Sequence, residues 1–119
     1  MKVSEDKQKY LTYYFDNIYS LSGLQVSAIE DMARFKGQES EYISCCYDSE
    51  DEDYKEGYVT LLFWEPTVDE DTMVFVANSI FYEKLLEVCN THIEKNPHDK
   101  EVLNSNLNQI KKDLKILWF

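Results

Sequence analysis

Apolar side chains recur at three- and four-residue intervals in four stretches of the chain, a spacing that predicts helices with one buried side. The first stretch, Lys7 to Leu21, carries Tyr10, Leu11, Tyr14, Phe15, Ile18 and Leu21, with Ser22-Gly23 as its stop. A second helix is expected from Leu24 to Phe35 through Val26, Ile29, Met32, Ala33 and Phe35, although Leu24, Val26 and Ala28 also alternate as a strand would. A third, capped by Asn78 or Ser79, runs to about Lys95 with Phe81, Leu85, Leu86, Cys89 and Ile93 turned inward, and Asn96-Pro97 ends it. The fourth begins near Asp99 and carries Leu103, Leu107, Ile110, Leu114 and Leu117.

Between the second and third helices the pattern changes. Residues 42–47, 58–64 and 72–76 are rich in β-branched and aromatic side chains and predict three strands. The connections between them are too short for parallel crossovers, so an antiparallel meander is expected. The fold class is therefore α+β: a small antiparallel sheet of about three strands in mid-chain, flanked by N-terminal and C-terminal helices that cover its apolar face. The chain has 119 residues and 44% hydrophobic side chains, which suits a single domain over 1–119.

Charge sharpens the picture. The net charge is −11, and residues 48 to 71 hold ten acids against the single base Lys55, a local balance of −9. Such a surface repels phosphates and disfavours nucleic-acid binding, so the natural partner is a basic protein. Two segments concentrate the acids: Asp48, Glu50, Asp51, Glu52, Asp53 and Glu56 before the middle strand, and Asp69, Glu70 and Asp71 after it. They should lie at opposite ends of that strand, about 20 to 25 Å apart. Tyr47, Tyr54 and Tyr58 are interleaved with the first segment, and tyrosine is a frequent interface anchor. Mutual repulsion of the charges disfavours a compact loop there. The expected partner-binding residues are the nine acids just named together with Tyr54, with Asp48 to Glu56 as the main contact.

The chemistry-bearing motifs are weak. The acidic run does not meet the EF-hand pattern, since Asp53 stands where glycine is required and Val59 where a bidentate glutamate belongs. Cys89 and His92 are three apart on a helix, but free cysteine is more often simply buried, so neither a metal nor another cofactor is expected. With His92 and His98 the only imidazoles, three glycines in total and no nucleophile elbow, no enzyme is expected. Three cysteines without paired spacing and the lack of an apolar leader or membrane-length run point to the cytoplasm and away from a membrane.

Several short words of the sequence are familiar in combination: Tyr13-Tyr14-Phe15-Asp16-Asn17-Ile18, Ser22-Gly23-Leu24-Gln25-Val26, the acidic stretch leading into Glu56-Gly57-Tyr58-Val59, Trp64-Glu65-Pro66, and Phe81-Tyr82 opening a helix that ends at Asn96-Pro97. Together they resemble immunity proteins of contact-dependent growth inhibition systems, in particular the group associated with ribonuclease toxins. The resemblance implies a bacterial, non-enzymatic protein that binds and neutralises a cognate toxin domain. An acidic loop would then occlude the basic RNA groove of the toxin. Two other readings fit an acidic protein: a DNA mimic, which should spread its carboxylates along an extended face, and a general interaction adaptor.

Overall fold

A computed structural model describes residues 1–20 and 23–117. In chain order the elements are β1 (Lys2–Val3), α1 (Lys7–Asn17), β2 (Tyr19–Ser20), β3 (Gly23–Leu24), α2 (Val26–Phe35), β4 (Gly37–Glu39), β5 (Ile43–Cys46), β6 (Tyr58–Phe63), β7 (Thr72–Ala77), α3 (Asn78–Lys95), a 3-10 turn (Pro97–Asp99) and α4 (Lys100–Asp113). The expected α+β class and the central antiparallel meander are present, with β6 between β5 and β7. The sheet has five strands, however, in the order β1-β7-β6-β5-β4, with β1 parallel to β7 and the rest antiparallel.

The register explains the core. Ile43 pairs with Phe63, Cys45 with Leu61 and Leu61 with Val74, so one face carries Ile43, Cys45, Val59, Leu61, Phe63, Val74 and Val76. All of these are buried together with Tyr10, Leu11, Tyr14 and Phe15 of α1, Ile29 and Met32 of α2, Phe81 and Leu85 of α3, and Leu103, Leu107 and Ile110 of α4. Tyrosine hydroxyls stitch these layers. Tyr14 donates to Gln38 Oε1 at 2.6 Å, Tyr47 to the Met32 carbonyl at 2.8 Å and Tyr19 to the Val88 carbonyl at 3.1 Å. A buried phenol needs such an acceptor, and each of these bonds crosses between elements.

Several expectations need correction. Neither Asn78 nor Ser79 caps α3: the cap position is Ala77, with no side-chain bond, and Asn78 Nδ2 donates instead to the Leu114 carbonyl at 3.2 Å. The buried stripe of α3 is Phe81, Tyr82, Leu85, Val88, Cys89 and His92, whereas Leu86 and Ile93 are only half-buried. The stripe is rotated because tyrosine and histidine serve as inward residues. Phe35 is 61% exposed at the end of α2. Leu117 is 91% exposed, because α4 ends at Asp113 and Lys115 turns left-handed at φ 59°, after which helical spacing no longer applies. Helix α1 ends at Asn17, and Leu21 and Ser22 lie outside the described residues.

Candidate functional site

The acidic segment between β5 and β6 is built from three successive tight turns. Backbone N–H groups donate from Asp51 to the Asp48 carbonyl, from Tyr54 to Asp51 and from Tyr58 to Lys55, at 3.0, 3.2 and 3.1 Å. Aspartate side chains reinforce the first two: Asp48 Oδ1 accepts from Glu50 N at 3.0 Å, and Asp51 Oδ1 from Asp53 N at 2.8 Å. Thr60 Oγ1 then donates to the Asp53 carbonyl at 2.8 Å and pins the loop to β6. The expectation that repulsion would keep this loop from compacting is therefore wrong. Backbone turns, and the Asp48 and Asp51 oxygens that accept within them, outweigh the repulsion, which solvent screens at the exposed carboxylates.

Glu50, Asp51, Glu52 and Glu56 are exposed, and Asp48, Asp53 and Tyr54 half-buried. Of the interleaved tyrosines, Tyr47 is a core residue, 5% exposed, so it is removed from the surface. Burial, and secondarily Cys45 and Asp113, raise its phenol above the ordinary value. Tyr58 is half-buried beneath the Lys55 ammonium, which stands 4.6 Å from its ring centre and 4.7 Å from that of Phe75.

The second acidic segment follows β6, at the opposite end of that strand as expected. Asp71 Oδ1 accepts from Glu65 N at 2.9 Å, and Asp69 and Glu70 share a cavity of about 460 Å³ with Lys2 and Lys9. Two further cavities touch the first segment. One of about 280 Å³ lies between Asp48 and Asp51 on the loop and Asp31, Phe35 and Glu39 beyond it. The other, of about 340 Å³, lies where the loop meets the start of α3 and the end of α4.

A family model described as CDI immunity protein matches residues 7–107, most of the chain. The chain belongs to that family of contact-dependent growth inhibition immunity proteins. Comparison with curated proteins and with solved structures gives no significant match. Membership means neutralisation of a cognate toxin, and such inhibitors are not normally enzymes. Among the described residues no helix is long and apolar enough to cross a membrane.

His92, Cys45 and Cys89 of this immunity protein are buried within the fold. His92 is 5% exposed; its Nε2 lies 2.8 Å from Asp99 Oδ2, and its Nδ1 accepts from Leu24 N at 3.3 Å. Both ring nitrogens are thereby committed within the fold. Burial pushes the thiols of Cys45 and Cys89 up to about 12, and that of half-buried Cys46 up to about 11, which suppresses the reactive thiolate. Sequence reasoning missed the tie made by His92. The signal was present in His92-x6-Asp99 across a helix-ending Asn96-Pro97, but only the chain reversal brings the two together.

Proposed function

We propose that the protein neutralises a basic nuclease toxin, of ribonuclease type, in the cytoplasm of the cell that makes it, and that the Asp48–Glu56 loop is the main contact. The observation that carries this reading is the loop itself: a dense set of outward carboxylates held in tight turns and pinned to the sheet by Thr60. A pre-ordered acidic surface loses little conformational entropy on binding and steers a basic partner toward it. A nuclease must present positive charge to RNA phosphates, and carboxylates at comparable density compete for the same groove. Asp69, Glu70 and Asp71 form a secondary surface, because this segment has three acids against the six of the loop and Lys2 and Lys9 share its cavity.

Co-expression with the C-terminal domain of a large secreted protein encoded immediately upstream tests the reading. The expected result is a stable complex, survival of cells that otherwise lose RNA, and suppression of RNA cleavage by the purified domain. A complex that leaves RNA cleavage intact would contradict occlusion of the RNA groove, and absence of any complex would contradict the pairing altogether.

A further inference from the structure

The cavity of about 340 Å³ beside the acidic loop is lined by Tyr54, Glu56 and Tyr58 from the loop and β6, by Asn78 and Ser79 at the start of α3, and by Asp113 at the end of α4. It thus joins three regions that are far apart in sequence. Its walls combine phenol rings with carboxylates, a pairing that suits a flat cation better than a neutral or anionic group. The Oδ1 atom of Asn78 lies behind this wall, sealed from solvent and without a hydrogen-bond partner. An unpartnered carbonyl dipole is uncompensated by any donor and costs free energy where it stands. The Tyr58 ring already carries the ammonium groups of Lys55 and Lys7, from residues outside the cavity lining, which leaves Tyr54 as the wall's stacking surface. Lys115 and the uncapped start of α3 bring positive charge to the same walls, set against the Glu56 and Asp113 carboxylates here and the other five acids of residues 48 to 56 on the adjoining loop.

We propose that this cavity is the anchor site for an arginine side chain of the toxin, its guanidinium stacked on Tyr54 and bonded to Glu56 and Asp113. The proposal rests on the immunity reading above and adds to it a specific pocket and a residue, Asp113, outside the acidic segments. Arginine fits better than lysine, since a planar fork can stack on one wall while it bonds the carboxylates of the other two. The surrounding acids supply encounter, and the pocket supplies residence.

The test has two arms. In the first, the isotopically labelled protein is titrated with N-acetyl-arginine amide, and separately with the lysine and aspartate analogues, by NMR. Saturable shifts from the arginine probe at Gly57, Asn78, Ser79 and Asp113, lost in the double variant Glu56→Gln with Asp113→Asn, support the site. Shifts confined to residues 50–53, or a stronger response to the aspartate probe, overturn it. In the second arm, the same double variant is mixed with the toxin domain. Dissociation at least about tenfold faster, with association within about twofold of the wild type, is expected for loss of an anchor. An unchanged dissociation rate overturns the anchor while leaving the immunity reading intact, whereas the immunity reading alone fails if the probe binds and the toxin domain does not. Both substitutions are near-isosteric, and Asn at 113 retains an acceptor for the bond now made by Gln109, so an unchanged thermal midpoint confirms that the fold is preserved.

Discussion

Replacing His92 by alanine should be among the most damaging single changes in this protein, although the side chain is polar. Its ring joins α3 to β3 and to the start of α4. Because Nδ1 accepts from Leu24 N–H, the proton sits on Nε2 and is donated to Asp99 at 2.8 Å. Loss of a hydrogen bond to a charged acceptor costs about 1.5 to 3 kcal/mol, and the lower figure applies because Asp99 is 26% exposed and regains water. The Leu24 N–H is left buried without an acceptor, for about 1 to 3 kcal/mol more, and the packing of a ring that is 5% exposed is lost as well. The total is about 3 to 5 kcal/mol. Asp99→Asn keeps an acceptor for Nε2–H and should cost only about 1 kcal/mol. Urea unfolding followed by circular dichroism reads both values. A loss below about 1 kcal/mol for His92→Ala, or equal losses for the two variants, would refute the assigned tautomer and the tie itself.

Other perturbations follow from burial. Leu107→Ala, at a position 3% exposed, should lower stability by about 2 to 5 kcal/mol, whereas Leu86→Ala, half-buried on α3, should cost about 1 kcal/mol in the same melts. Stability should also fall above about pH 9. The thiols of Cys45 and Cys89 stay protonated in the fold up to about 12 but ionise near 9.0 when unfolded, so the unfolded chain releases protons first. Their contribution is complete below pH 9 and lost as pH rises toward 12, at up to about 1.4 kcal/mol per pH unit for each thiol. A urea midpoint that holds constant from pH 8 to pH 10.5 would contradict this.

The helices and the central meander were legible because they are long enough for period to show. Val74 and Val76 alternate cleanly with half-buried neighbours, and Leu103, Leu107 and Ile110 hold a strict helical spacing. The edge strands were not legible. β1 has two residues, both exposed, and β4 reads Gly-Gln-Glu, with no apolar alternation. β4 exists because Gly37 lets it approach β5 closely: a Cβ there would lie 2.7 Å from the Cys45 carbonyl oxygen. Gln38 is then buried to receive the Tyr14 hydroxyl. Those causes lie in a strand and a helix remote in sequence. The acidic candidate residues were visible as composition, but their order in tight turns depends on Asp48, Asp51 and Thr60 acting on particular backbone groups. The contribution of Asp113 to the neighbouring cavity depends on where α4 ends.

Association kinetics of the fourfold variant Glu50→Gln, Asp51→Asn, Glu52→Gln, Asp53→Asn with the cognate toxin domain test the central claim most directly. Asn at 51 keeps the oxygen that accepts from the residue 53 amide, so the loop should hold its shape while losing four charges. If the loop steers and contacts the toxin, stopped-flow mixing at low salt should show association at least about tenfold slower than the wild type. The wild-type rate should fall steeply between low and physiological ionic strength and the variant's much less. An unchanged on-rate and affinity at low salt would place the contact elsewhere and contradict the account.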